Sequence, residues 1–238
     1  MTRFIHCLAA LLILLPAPLA AAAPSLSVAN YEVFADGFRI GRFDVRSKRV
    51  GGQYGVHIQS ALQGVLGFLL RAKFDGRAEG RLDESGRPLP TLFSARSSRI
   101  FKQRDVTIAF QDRHPVSVTL TPLRDHTALS DPAKISGPIM DSVSYVYQLF
   151  HAKGGDCPVA RALYDGRRRV LVRFEAPVPE ANGLLCNGSY RIIEGPDHSL
   201  LTGQRSFPLA FHYSKEGGAP RKITVRARHN TMMLKRLP

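Results

Sequence analysis

Residues 31–48 read YEVFADGFRIGRFDVRSK, in which apolar and polar side chains alternate on both sides of Asp36-Gly37. A period of two puts one set of side chains on the buried face of a strand and the other set in water. Asp-Gly between two such stretches is a strong signal for a tight turn. On the returning strand Phe43 and Val45 are expected to point inward and their charged neighbours outward. The stretch therefore predicts a β-hairpin with one face on a core.

The same alternation continues along most of the chain. After a turn at Gly51-Gly52 it recurs in six further stretches, centred on Val56, Ile108, Val118, Val172, Phe211 and Val225. Further turns are predicted at Asp112–His114, Asn187-Gly188 and Gly217-Gly218, and most neighbouring strands should be antiparallel. No internal repeat or low-complexity linker divides the chain. We therefore expect a mainly β fold over residues 23–238, a single antiparallel and strongly curved sheet that forms an open barrel or β-spiral.

Two stretches predict short helices. In Ala61–Leu70 apolar residues recur at helical spacing, although two glycines weaken the pattern. The second helix begins where Asp141 or Ser142 can cap its free amides, and Gly154-Gly155 ends it. We expect this second helix to cover or plug one side of the sheet.

The first 22 residues have the composition of a secretory signal peptide. A positive start at Arg3 precedes the apolar stretch Phe4–Leu15, and small residues follow at Ala20–Ala23. The apolar stretch is shorter than the ~20 residues that a membrane-spanning helix needs. We therefore expect a signal peptide over residues 1–22 with cleavage near Ala22, and no membrane anchor.

The composition is that of a globular protein with a basic surface. Hydrophobic residues make up 44% of the 238 residues, which excludes a disordered or fibrous protein. Lys and Arg outnumber Asp and Glu by 33 to 19, and the formal net charge of +14 favours acidic partners. Because the chain is exported and has no aromatic stacking pattern beside its basic segments, we do not expect nucleic acid. Anionic lipid headgroups or acidic envelope polymers fit better, and they allow peripheral contact with a membrane.

Removal of the signal peptide leaves two cysteines, Cys157 and Cys186. In an oxidising compartment such a pair predicts a disulfide. A metal pair and a redox-active dithiol are the alternatives, although the spacing is not C-x-x-C and no histidine lies at ligand spacing. We expect a structural disulfide.

Two basic clusters are candidates for anion binding, and the first is Arg167-Arg168-Arg169 after the turn signal Asp165-Gly166. Three arginines there can clamp a phosphate or a carboxylate, or can pair within the fold. In a strand Arg167 and Arg169 would face one side. Arg168 would face the core side and need a partner such as a carboxylate.

The second basic cluster lies near the C-terminus, where Lys222, Arg226 and Arg228 share one face of a predicted strand. This face can bind anionic lipid or polymer, or it can be a solvated edge strand whose charge prevents aggregation. An exposed edge can also pair with a strand of another protein.

Motifs for catalysis and metal binding are not found in the sequence. It contains no G-x-S-x-G elbow, phosphate-binding loop or H-E-x-x-H motif, and its histidines are scattered. A zinc site assembled from distant histidines and a hydrolase acting on envelope polymer stay as alternatives. We predict no catalytic residue, no metal and no cofactor.

Four segments together resemble a bacterial family, the domain of unknown function 3108. They read YEVF and GFRIG within residues 31–41, DSVSYVY at 141–147, YDGRRR at 164–169 and CNGSYRIIEG at 186–195. The resemblance implies an exported, periplasmic, largely β protein of a Gram-negative bacterium, with a helix after Asp141 packed on the sheet and the two cysteines joined. It implies no catalytic residues.

Two functional hypotheses follow. In the first, the protein is a non-enzymatic periplasmic protein of the cell envelope that binds an amphiphile or an anionic envelope component inside the curved sheet. In the second, it is a scaffold that pairs with another envelope protein through its basic edge strand.

Overall fold

The computed structural model describes residues 23–64, 67, 71–198 and 203–238. Its strands, in chain order, are β1 (Ser25–Ala35), β2 (Phe38–Val50), β3 (Gln53–Leu62), β4 (Lys73–Leu82), β5 (Pro88–Arg99), β6 (Lys102–Gln111), β7 (His114–Thr121), β8 (Ala152–Lys153), β9 (Arg161–Tyr164), β10 (Arg169–Phe174), β11 (Val178–Glu180), β12 (Gly183–Glu194), β13 (Ser206–Tyr213), β14 (Gly217–Gly218), β15 (Lys222–Arg226) and β16 (Thr231–Arg236). The other elements that lie wholly within the described residues are helix α1 (Ser142–Phe150) and short 3-10 turns at Leu123–Asp125, Ala128–Ser130 and Pro132–Lys134.

Fourteen strands form one sheet in the order β7-β6-β5-β4-β3-β2-β1-β16-β15-β13-β12-β10-β9, with β11 beside β12. All neighbours are antiparallel. The two edges, β7 and β9, are joined by residues 139–140. There the Ile139 amide donates to the Arg113 carbonyl at 2.9 Å, and the Tyr164 amide donates to the Met140 carbonyl at 2.9 Å. The sheet is therefore a nearly closed barrel, which confirms the predicted mainly β, strongly curved fold.

Curvature of the sheet comes from bulges and from glycines that let strands approach closely. The register shifts where β2, β5, β7 and β12 each carry one residue more than the neighbouring strand, and such an extra residue bends its strand. Gly80 of β4 lies opposite the extra residue of β5, and a Cβ atom there would be 2.1 Å from the Leu89 carbonyl oxygen. A side chain at this position would push β5 away.

The helix α1 lies inside the barrel against β3, β4, β5 and β9. Asp141 caps it, because its carboxylate accepts hydrogen bonds from the Ser144 amide at 2.7 Å and the Ser144 hydroxyl at 2.5 Å. The Tyr54 hydroxyl of β3 then donates to the Ser144 oxygen at 2.7 Å. Gly76 of β4 leaves room for the helix, since a Cβ atom there would be 2.9 Å from a Val143 methyl group. The predicted helix after Asp141 is confirmed.

The basic C-terminal strand is not an edge strand, which corrects the prediction for Lys222 and Arg226. β15 lies between β13 and β16 and pairs with both. Arg228 lies beyond it, in the turn before β16. The edge prediction was wrong because the chain turns after β15 and returns as β16, a strand that the alternation did not predict and that pairs with the other side of β15.

Three other predictions concern local elements. Asn187-Gly188 is not a turn but lies within β12, where the missing side chain of Gly188 leaves room for the Arg173 carbonyl of β10. The first two residues of the helix predicted at 61–70 belong to β3, and most of the others lie outside the described residues. The predicted signal peptide, residues 1–22, lies outside them as well. Within the described ranges, no helix is both long and apolar enough to cross a membrane.

Candidate ligand-binding cavity

A cavity of about 950 Å³ opens at the end of the barrel that carries the turn between β5 and β6. Inward-facing residues of seven strands form its apolar wall, namely Phe74, Phe93, Ala95, Val106, Leu163, Val170, Phe207, Leu209 and Val225. α1 contributes Ser142 to the lining, and its following residues fill the other half of the barrel. At that far end the Ser47 hydroxyl is 2.8 Å from Nε2 of His151. The interior is thus solid at one end and open at the other.

Basic side chains surround the mouth of this cavity. Its lining includes seven basic residues, Lys73, Arg99, Lys102, Arg104, Arg124, Arg167 and Arg168. It includes three carboxylates, Asp125, Asp165 and Asp197. The apolar wall and the cationic rim together give the cavity an amphipathic character.

Each of the three carboxylates already has a cationic partner. Asp125 pairs with Arg104 at 2.7 Å and Asp165 with Arg168 at 2.6 Å, while Asp197 pairs with Arg205 at 2.8 Å. Among the described residues, the other five basic side chains of the lining have no ion pair. The rim therefore has an uncompensated positive charge that favours an anion.

Arg167 is the least satisfied cation of this rim. Its Nε atom is buried without a hydrogen-bond partner among the described residues. Burial, together with the nearby Arg104, lowers the pKa of its guanidinium group. Because arginine stays charged in proteins, Arg167 brings to the lining a positive charge that has no ion pair among the described residues, and an anionic ligand in the cavity can pair with it.

A chain of hydrogen bonds connects Arg168 to three other residues of the lining. Arg168 donates from Nε to Asp165 at 2.8 Å and from its terminal nitrogen to Nδ1 of His198 at 2.6 Å. Since an arginine only donates, Nδ1 of His198 must be unprotonated and its proton must lie on Nε2. Nε2 then donates to the Tyr190 hydroxyl oxygen at 3.0 Å, which leaves the Tyr190 proton free for a ligand.

This environment predicts that His198 stays neutral in mildly acidic solution. Burial and the positive charge of Arg168 lower the pKa of the ring to about 4. An Arg168→Met substitution should raise that pKa toward 6.5, whereas Arg169→Met should not change it. Nuclear magnetic resonance titration of the ring protons measures both effects. A wild-type midpoint near 6.5 would contradict the assignment.

The three consecutive arginines do not act together. Arg167 and Arg168 line the cavity, whereas Arg169 binds Glu194 at 2.6 Å and the Ser136 carbonyl outside it. The prediction that Arg167 and Arg169 face the same side of a strand was wrong. β10 begins only at Arg169, so the two preceding arginines belong to a turn. The carboxylate partner predicted for Arg168 is present as Asp165.

The other predicted anion-binding residues lie away from the cavity. Lys222, Arg226 and Arg228 are not in its lining, although Val225 of the same strand is. Tyr190, His198 and the basic residues of β5 and β6 were not singled out in the sequence. Their only local signal is that Arg99 and Lys102 flank a short turn.

The two cysteines form the predicted disulfide. Cys157 and Cys186 are bonded with their Cα atoms 5.5 Å apart. Cys186 is fully buried on β12, so the bond ties the segment after α1 to the wall of the barrel.

Potential catalytic and metal-binding groups have structural roles or lie on the surface. The contact between Ser144 and Asp141 is sealed in the core, where both residues are fully buried. His57 and Asp75 are 3.0 Å apart on the outer face of the sheet, and His212 pairs with Glu180. No group of three or more His, Cys, Asp or Glu residues suited to a metal occurs in the described part of the chain.

Comparisons with known proteins place the chain in a family. No curated protein has a matching sequence. Among solved structures, the chain is similar to the beta-barrel-like protein of domain of unknown function DUF1849 from Brucella abortus. The identity is 12% and the TM-score 0.48, and the match covers 88% of this chain and 95% of that chain. The model of the protein family of unknown function DUF3108 matches residues 30–180, more than half of the sequence, and the chain therefore belongs to the DUF3108 family.

Proposed function

We propose that this protein is a non-enzymatic, exported protein of the bacterial cell envelope that binds an anionic amphiphile in the barrel. The observation that carries the proposal is the cavity of about 950 Å³ with an apolar wall and a rim of seven basic side chains, five of which have no ion pair in the described part of the chain. Its volume is near the upper end of small-molecule sites, which have about 300–1,000 Å³. An apolar chain fits the wall, and a phosphate or carboxylate head fits the rim.

The head of the ligand is expected at Arg167 and Tyr190. Arg167 offers a charged guanidinium group that has no ion pair among the described residues, and Tyr190 offers a hydroxyl proton that its described neighbours do not use. A charged donor and a neutral donor facing one space are suited to a tetrahedral or planar oxyanion. The predicted signal peptide and the disulfide are consistent with a periplasmic location for such a protein.

Binding of dodecyl phosphate to the delipidated protein, measured by calorimetry below the micelle concentration, tests this function. We expect Arg167→Gln to weaken binding by roughly thirtyfold, since losing a buried charge partner costs about 2 kcal/mol. Arg169→Gln is the matched control, because Arg169 is bound to Glu194 outside the cavity. Dodecyltrimethylammonium, with the same chain and a positive head, should bind much more weakly than dodecyl phosphate.

A second pair of variants tests the location of the apolar chain. Ala95→Phe fills the cavity from β5 and should abolish binding, whereas Ser94→Phe places the same ring on the outer face. Equal affinity for both amphiphiles, or equal binding by both phenylalanine variants, would refute the proposal. A cavity that stays empty in protein purified from the periplasm, together with one dominant crosslinked protein in cells, would favour a scaffold that binds its partner through a surface other than β15, which is internal to the sheet.

A further inference from the structure

The end of the barrel that carries the cavity mouth exposes unusually apolar turn residues. The most exposed large apolar side chains of the described residues are Phe101 at 95%, Leu123 at 79%, Phe38 at 77% and Leu26 at 73%. Phe101 lies in the turn between β5 and β6, and Leu123 in the 3-10 turn after β7. The first three of these side chains lie at the mouth end, and Leu26 is the exception.

Topology places Phe38 and Leu26 at opposite ends. β1 to β6 are consecutive antiparallel neighbours, so the β1–β2 turn next to Phe38 lies at the same end as the β5–β6 turn. Leu26 pairs with Lys48 near the β2–β3 turn, which lies at the far end. Leu26 is therefore a natural control for the exposed residues of the mouth.

The tip at Phe101 is held outward at an energetic cost. Its φ angle is +57°, a region that bulky residues rarely adopt and that costs of order 1 kcal/mol. Glycine or asparagine would relieve this cost, yet the chain has an aromatic ring here that contacts almost nothing. Such a ring gains free energy only when something outside the barrel covers it.

Cations lie beside the apolar tips. Arg99 and Lys102 flank the β5–β6 turn, and Arg124 follows Leu123 directly. Of these, Lys102 and Arg124 are exposed, and none has an ion pair among the described residues. Aromatic and aliphatic tips combined with basic residues are typical of surfaces that enter the headgroup region of an anionic bilayer.

The arrangement fits a bilayer better than a folded protein. The tips are on separate turns around a rim and are interrupted by charges, whereas a protein interface buries one contiguous, well-packed patch. A lipid surface accepts isolated side chains at the headgroup level without shape complementarity. We propose that the rim of the cavity mouth docks on an anionic phospholipid bilayer, inserting Phe101, Leu123 and Phe38 so that the cavity opens onto the lipids.

Docking goes beyond the proposed function and does not require it, since the rim can meet a bilayer whether or not the cavity holds a ligand. The absence of tryptophan from the sequence makes docking easy to observe. In the chain without the predicted signal peptide, Phe101→Trp provides a single emitter at the mouth and Leu26→Trp provides one at an exposed position of the far end. With vesicles of phosphatidylglycerol and phosphatidylethanolamine, we expect a blue shift and quenching by brominated lipids only for Phe101→Trp.

Sedimentation with the same vesicles measures affinity. Phe101→Ser should weaken binding about tenfold and Leu26→Ser should not change it. Lys102→Glu should weaken binding more than fivefold, whereas Lys48→Glu at the far end should not, and phosphatidylcholine vesicles should bind poorly. Equal shifts for both tryptophans, or equal losses for the mouth and far-end variants, would overturn the proposal. In calorimetry, Phe101→Ser should bind dodecyl phosphate with the affinity of the wild type, because Phe101 does not line the cavity. Weaker vesicle binding with unchanged dodecyl phosphate binding therefore supports docking, whereas a wild type that does not bind dodecyl phosphate refutes only the cavity proposal.

Discussion

Replacing Cys157 and Cys186 together by alanine is expected to lower the free energy of unfolding by about 3–4 kcal/mol. The two residues are separated by 29 positions, and the chain-entropy model gives this magnitude for a loop of that size. The loop contains the segment after α1 and runs through β9, β10 and β11 to the middle of β12. Without the bond, the conformational entropy of the unfolded chain rises, whereas that of the folded barrel does not change in the same way.

Urea unfolding with and without dithiothreitol measures this effect. Reductant should move the wild-type midpoint to that of the double-alanine variant and should leave the variant itself unchanged. Alanine is preferred to serine because Cys186 is fully buried and a serine hydroxyl there would lack a partner. A thermal midpoint roughly 10 °C lower is expected for a chain of this size. Identical midpoints for the oxidised and reduced wild type would contradict the prediction.

The second large effect is expected at the buried cap of the internal helix. Asp141→Ala removes the acceptor of two hydrogen bonds from Ser144 and leaves a buried amide unpaired. Losing such a cap, with a donor left unsatisfied, should cost about 3 kcal/mol. Asp131→Ala is the matched control, since Asp131 also caps a short turn by accepting from the Ala133 amide but is exposed. Its cost should stay below about 1 kcal/mol.

The pH dependence of the free energy of unfolding provides an independent test of the same cap. Burial raises the pKa of Asp141 to about 6 despite the hydrogen bonds from Ser144, whereas an unfolded aspartate titrates near 3.8. Between about pH 4 and pH 6 the folded state therefore binds more protons than the unfolded state, and stability falls as the pH rises. Asp141→Asn removes this slope but keeps one acceptor. The difference in unfolding free energy between wild type and Asp141→Asn should decrease by about 2 kcal/mol across that window and stay flat above it.

The comparison of wild type with Asp141→Asn is necessary because protonation of His198 changes the free energy of unfolding with pH in the opposite direction. Its folded pKa of about 4 lies below 6.5, so its contribution to stability is lost as the pH falls through that window. The contribution occurs in both proteins and cancels in the comparison. A difference that does not change between pH 4 and pH 6 would show that the Asp141 carboxyl has the same pKa in both states.

Predictions from the sequence were most accurate where one short segment contains all the residues that specify the local structure. The turn at Asp36-Gly37 and the alternation around it specify the β1–β2 hairpin, and Asp141 three residues before Ser144 specifies the start of α1. The strand through Asn187-Gly188 shows the limit of this approach. An Asn-Gly pair usually makes a turn, but here the close approach of β10 to Gly188 decides the conformation.

Local sequence patterns were enough to predict the strand-rich class, the position of the main hairpins and the capped helix, because period two, turn residues and caps act over a few residues. The pairing of β1 with β16, where Tyr31 lies opposite Arg236, joins the two ends of the described chain and depends on the tertiary structure. The tertiary structure also decided the cavity, since Lys102, Arg167 and His198 come from three distant segments. Such convergence depends on pairings across the whole chain, and no local pattern contains them.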